Sequence, residues 1–144
     1  MSATHNRPLS HISEILPSPR GSHHSHAVVA GPLVFISGAI PDRTDDGLFA
    51  GSSVGPDGEL LHDVAEQLRS AIQGIEVVLG ELGCDLESIV DVTVFLRDIK
   101  RDFAAFNHAY GEIFDSWMPT RTTIEVSDLP SAVCVEVKIV AYRP

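Results

Sequence analysis

The sequence predicts an α+β domain in which two helices cover one face of a mixed β-sheet. Apolar residues recur at every second position in several short segments, and at every third or fourth position in two longer ones. The segments run in the order hairpin, helix, strand, helix, strand, strand, which builds a sheet with helices layered on it. At 144 residues the chain has room for one domain with a sizeable core and too little for two.

Taken in order, residues 1–21 read as an N-terminal arm or lead-in: Pro8, Pro17 and Pro19 interrupt it, and its only apolar patch covers residues 12–16. Residues 22–144 form the single domain. Within it, residues 26–30 and 33–37 predict a hairpin, with Gly31-Pro32 at the turn, where a missing N–H does no harm. Residues 41–58, rich in Asp, Gly, Ser and Pro, predict a long loop with a short strand near Leu48 and Phe49. Val64, Leu68, Ile72, Ile75, Leu79 and Leu82 then step by four and three, the stripe of a helix that Gly83 stops. Residues 89–96 alternate, with Val90, Val92, Val94 and Leu96 on one face and Asp91, Thr93 and Phe95 on the other.

A second helix follows, with Asp102 as the expected N-cap and an aromatic stripe of Phe103, Phe106, Tyr110, Ile113, Phe114 and Trp117 that reads as core. Pro119 ends it, and residues 122–126 and 133–142 close the chain as strands. In the last strand Val133, Val135, Val137 and Ile139 point one way, and Cys134, Glu136, Lys138 and Val140 the other. With helices on the apolar side, the mixed side must meet water or a partner, and its apolar content predicts oligomerisation through the sheet.

Ten basic against twenty acidic residues give a formal charge of −10, which repels a phosphate backbone and sets nucleic acid aside as a partner. No apolar run is long enough to span a membrane, and no secretory signal is evident. Cys84 and Cys134 form no CxxC pair, a usage that fits a reducing, cytoplasmic setting.

The candidate site residues are Arg121 and Glu136. Arginine grips a planar carboxylate through two parallel hydrogen bonds. A glutamate among valines is costly unless paired or employed, and burial tunes it toward acid–base work near neutrality. Two plainer readings stay open: an arginine paired with a surface carboxylate, and a glutamate on a wet strand face. Ser37-Gly38 ends an apolar strand where a backbone group has room to approach a ligand, or simply turns. Asn107 follows core-facing Phe106 and reads equally as a solvent-facing residue. His23, His24 and His26 lack the ligand count and spacing of a zinc site, so no metal is expected. No phosphate-cradling loop or GxSxG elbow is present.

Ordered blocks then carry a resemblance. Phe35-Ile36-Ser37-Gly38, Glu66-Gln67, residues 91–98, residues 103–110, Pro119-Thr120-Arg121, Leu129-Pro130 and Val135-Glu136-Val137 together resemble the Rid (YjgF-like) family of imine and enamine deaminases, over about residues 22–142. The resemblance implies a chorismate-mutase-like fold and a homotrimer with sites in the clefts between subunits. It also implies a cofactor-independent hydrolysis of an imine carboxylate: Arg121 as the carboxylate clamp, Glu136 as the acid that handles water, and Ser37, Gly38 and Asn107 lining the pocket. Two positions depart from the family pattern. His24 stands where a tyrosine is usual, and Thr123 where many members have cysteine. Among relatives the chain looks most like the 2-aminomuconate deaminases of aromatic-compound degradation.

Overall fold

Alternating valines and isoleucines make the strands, and the three-four stripes make the helices. The computed structural model describes residues 7–19 and 21–144; residues 1–6 and 20, in the predicted lead-in, lie outside the described residues. The strands are β1 (Leu9–His11), β2 (Ala27–Ala30), β3 (Leu33–Ala39), β4 (Ser52–Val54), β5 (Leu60–His62), β6 (Ile89–Leu96), β7 (Thr120–Glu125) and β8 (Val135–Tyr142). The helices are α1 (Val64–Glu81) and α2 (Ile99–Ile113). Six strands form one sheet in the order β1-β2-β3-β8-β6-β7, and β4 pairs with β5 in a separate hairpin. Only β6 and β7 run parallel within the large sheet, which α2 connects as a crossover.

Both helices lie on one face. Leu68, Ala71, Ile72, Ile75 and Leu79 of α1 and Phe106 and Ala109 of α2 are buried against Val34, Ile36, Val92, Val94, Leu96, Val135, Val137, Ile139 and Ala141. Each large side chain so buried contributes about 1.5–3 kcal/mol. The other face has no helical cover: Leu33, Phe35, Ile124 and Tyr142 are at least a third exposed there. This is the expected two-layer α+β architecture.

Helix α1 is well delimited. The Asp63 carboxylate accepts the Glu66 N–H at 3.1 Å, and Gly83, with φ 74°, lets Cys84 N–H reach Leu79 C=O at 2.8 Å and its own N–H reach Gly80 C=O at 3.1 Å. Helix α2 starts a turn earlier than expected. Asp98, not Asp102, is its N-cap, accepting from Arg101 N–H at 3.0 Å, while the Glu125 carboxylate takes the Ile99 N–H. Asp102 instead lies inside the first turn, nearly buried, and receives Nε and Nη2 of Arg101, each at 2.9 Å.

Other expectations also shift. A bulge between Ile89 and Asp91 turns Ile89 inward and leaves Val90 exposed, so Val90 does not share the face of Val92. Cys134 precedes β8 rather than sharing the Glu136 face. Its N–H and thiol both bond Oε1 of fully buried Gln67, at 2.8 and 3.1 Å, and burial pushes the thiol pKa up to about 12. Of the aromatic stripe, Phe106, Tyr110 and Phe114 are buried, whereas Phe103 and Trp117 are partly exposed; Trp117, beyond the helix end, donates Nε1–H to Ile89 C=O. The loop at 41–58 holds β4 and, near Phe49, only a single bridge from Phe49 to Arg43. Within the lead-in, β1 pairs with β2 of its own sheet. Among the described residues, no helix is long and apolar enough to cross a membrane.

Gln67 knits three parts together. Besides Cys134, its amide donates to Ser52 Oγ at 2.9 Å, fastening the β4–β5 hairpin to α1 and the start of β8. Leu68, beside it and fully buried, is the test of this core. Leu68→Ala is expected to destabilise the protein by about 2–5 kcal/mol in denaturant unfolding, through lost burial and a residual cavity.

Candidate functional site

The two principal residues stand on opposite faces of the sheet. Arg121 pairs with Val92 and Thr123 with Val94, so both point to the helix side of edge strand β7. Glu136 pairs with Phe95, on the side that no helix covers. The fold therefore builds two candidate half-sites and, within one chain, keeps them apart.

The first half-site surrounds Arg121. Its guanidinium lies over the rings of Tyr110 and Phe106, 4.7 and 5.4 Å from their centroids, and Nη1–H donates to Asn107 Oδ1 at 2.9 Å. The helical spacing of Phe106, Asn107 and Tyr110 brings two rings and one amide to this place. Among the described residues Arg121 has no carboxylate partner, which removes the reading of a surface ion pair. Two hydroxyls, Tyr110 OH and Thr123 Oγ1, are buried without a hydrogen-bond partner among the described residues. An unmet buried hydroxyl costs about 1–3 kcal/mol. Burial pushes the Tyr110 pKa up to about 12, the nearby Arg121 charge opposing, so the phenol stays protonated and able to donate. Arg121, without a carboxylate partner among the described residues, thus shares the helix side of the sheet with two buried hydroxyls that also lack a partner there.

The second half-site is a cavity of about 620 Å³ that Ser37, Gly38, His24, His26, Ser131 and Glu136 help to line. A register shift between Ile36 and Ala39 makes room for it. Gly38 sits directly under the Glu136 carboxylate: a Cβ at Gly38 would overlap Oε1, with Cδ only 3.1 Å away. Ser37 Oγ–H donates to Ser25 C=O at 2.6 Å, tying the segment that carries His24 to β3. Glu136 is half-buried, with no hydrogen-bond or ion-pair partner among the described residues, and burial alone raises its pKa above the ordinary value. It is not the freely solvated strand residue of the plainer reading.

The N-terminal lead-in forms one wall of this cavity through Leu16, Pro17, Ser18 and Pro19. His26 holds it there: Nδ1 accepts the Ser13 N–H at 2.9 Å, and the other ring nitrogen faces Pro17 C=O at 3.2 Å. Glu81 of α1 adds bonds to His11 and to the Glu14 N–H. Among the described residues no three His, Cys, Asp or Glu side chains are grouped to hold a metal ion.

The site residues thus divide into Arg121, Thr123 and Asn107 on one side, and Ser37, Gly38, His24 and Glu136 on the other. Sequence reasoning missed Tyr110, hidden in an aromatic stripe that otherwise reads as core. It also missed Arg43, which lines the second cavity from a loop of mostly acidic and small residues.

The sheet thus carries an arginine without a carboxylate partner among the described residues on one face, and a half-buried acid on the other. Residues 16–143 match the family model described as Endoribonuclease L-PSP, and the chain belongs to that family. It is 35% identical over 133 residues to the RutC family protein PYRAB12510 of Pyrococcus abyssi, covering 92% of this chain and 94% of the other. It is 32% identical over 116 residues to the "Putative reactive intermediate deaminase TdcF" of Escherichia coli, covering 78% and 81%. Its structure resembles yeast Mmf1, with a TM-score of 0.78, 29% identity, and coverage of 96% of this chain and 100% of that one. The crystal structure of E. coli TdcF with bound serine aligns with a TM-score of 0.67 and 30% identity, over 92% and 93% of the two chains.

The close approach at Gly38 makes a direct test of the second half-site. Gly38→Ala is expected to turn the Glu136 carboxylate aside, the flexible side chain yielding before the backbone does. Unfolding free energy should change by less than about 1 kcal/mol, while binding or turnover of a carboxylate ligand falls at least about tenfold.

Proposed function

We propose that this protein is a cofactor-independent deaminase that hydrolyses the C=N bond of imine or enamine carboxylates, with a broad 2-imino acid range as the best-supported reading. The observation that carries it is the presence, on opposite faces of one sheet, of an Arg121 without a carboxylate partner and a half-buried Glu136 without any polar partner among the described residues, in a chain whose relative TdcF bears a deaminase name. The family description also names an endoribonuclease, but a chain of charge −10 has little attraction for RNA.

The reaction is written as R₂C=NH + H₂O → R₂C=O + NH₃. Arg121 takes the carboxylate beside the imine carbon in a two-pronged grip, and the Tyr110 and Thr123 hydroxyls complete the receptor. An enamine first tautomerises to its imine, and protonation on nitrogen makes the carbon electrophilic. Glu136, ionised, accepts a proton from water as the oxygen adds to that carbon. It returns that proton to nitrogen, and as the C–N bond breaks and ammonia leaves, the hydroxyl proton is released to water, balancing the proton first taken up by the imine. Fixed orientation supplies much of the rate gain, because a protonated imine is already reactive.

Opposite-face placement calls for a partner copy. In the proposed homotrimer the uncovered sheet faces pack together around Leu33, Phe35 and Tyr142, and each site joins the Arg121 side of one chain to the Glu136 cavity of the next. The narrower reading is 2-aminomuconate conversion to 4-oxalocrotonate (2-oxohex-3-enedioate) and ammonia, for which His24 on the Glu136 cavity is the supporting residue. A carboxylate-binding protein without catalysis is the competing class. Ammonia release from 2-iminopropionate and 2-aminomuconate, measured against the spontaneous rates, separates the three.

Arg121→Ala is expected to abolish turnover mainly through substrate binding, and Glu136→Gln to lower kcat with assembly intact. Mixing and reassembling the two variants should restore about a quarter of wild-type activity, since one random interface in four then joins an intact Arg121 to an intact Glu136. Recovery that stays at zero in mixed trimers would rule out the shared site. The pH profile of kcat/KM should fall toward acid through an ionisation above the ordinary glutamate value of 4.5, because the base must be ionised, and that limb should vanish in Glu136→Gln.

A further inference from the structure

The cavity that carries Glu136 is lined by a cation that the reaction above leaves unused. Arg43 lines it together with Ser37, Gly38, His24 and Glu136. Its loop is tightly closed: Ala50 N–H bonds Asp42 C=O at 2.8 Å, Thr44 N–H bonds Leu48 C=O at 2.8 Å, and Arg43 bridges to Phe49. The guanidinium rests 4.5 Å from the centroid of the buried Phe49 ring and donates one N–H to Gly47 C=O at 2.9 Å. Ring and carbonyl together fix the plane of the head group and leave most of its N–H donors free.

The charge around Arg43 is the informative part. Asp42, Asp45 and Asp46 lie within three positions, yet Arg43 makes no ion pair among the described residues. Asp46 is engaged elsewhere, accepting from Thr44 and from the Leu48 N–H. A preorganised guanidinium that passes over three neighbouring carboxylates and lines a ligand cavity is available for a carboxylate that arrives with the ligand.

We propose that Arg43 is a specificity-determining residue that binds the distal carboxylate of the substrate, so that the site selects dicarboxylic imines over monocarboxylic ones. The proposal rests on the deaminase reading: Arg121 of one chain holds the carboxylate next to the reacting carbon, Glu136 of the next handles water, and Arg43 receives the far end.

The test compares 2-iminoadipate with 2-iminohexanoate, six-carbon imines that differ in the distal carboxylate, each generated in situ by an amino-acid oxidase. Wild type is expected to favour 2-iminoadipate at least about tenfold in kcat/KM, and Arg43→Gln to reduce that ratio at least about tenfold, with partial recovery in Arg43→Lys. A ratio unchanged by Arg43→Gln, or a wild-type preference for 2-iminohexanoate, overturns the proposal; so does an equal loss on both substrates. Should Arg43→Gln not fold, the same ratio in Arg43→Lys decides. Ammonia from neither imine would defeat the deaminase reading itself, and calorimetry with adipate and hexanoate then judges Arg43 separately. Tighter adipate binding that Arg43→Gln removes supports the receptor, and equal binding refutes it.

Discussion

The two-residue period of a strand is the constraint on which this protein turns. Because β8 must give Val135, Val137, Ile139 and Ala141 to the core, Glu136 is forced to the uncovered face. The same rule on β7 sends Arg121 and Thr123 toward the helices, in step with Val92 and Val94. No rotamer change brings the two groups together across a packed sheet. Two helices on one side thus decide where the candidate groups lie, and the arginine and the glutamate end up as separate pieces.

Each piece is stabilised locally in its own way. Arg121 has aromatic faces and one amide rather than a counter-ion, and among the described residues only one of its N–H groups is taken up, by Asn107. Glu136 has burial, which raises its proton affinity, and a glycine beneath it with no Cβ to displace its carboxylate. Further back, Gln67 joins the hairpin, helix α1 and the entry to β8 through one buried amide. A buried amide so fully used resists substitution, since every lost bond strands a partner in the core.

Much of the fold was legible in the sequence because period and burial coincide. The stripe from Val64 to Leu79 and the alternation of β8 each admit one reading. The misplacements share a cause, a long-range partner that local pattern does not contain. Asp98 wins the cap because Glu125, from β7, takes the neighbouring amide. Cys134 turns inward because Gln67 of α1 meets it, and Val90 turns outward at a bulge defined by β8. At the site, the residue types were readable and their distribution was not. Arg121 and Glu136 lie 15 positions apart with no sign of the sheet between them. Tyr110 was hidden because an aromatic at core spacing looks the same whether its hydroxyl is met or unmet.

The lead-in gives the sheet a further property. Strand β1 and the turn after it are attached by contacts to β2, His26 and Glu81, all on surfaces that exist before any ligand arrives. Their order is therefore inherited from the core rather than induced by what enters the cavity. The wall formed by Leu16 to Pro19 is thus tethered to the sheet through His26 rather than through anything in the cavity. Substitutions in those few positions would reshape the cavity while leaving Arg121, Glu136 and the sheet untouched. The wall of the cavity and the two groups on the sheet therefore lie on separable stretches of the polypeptide.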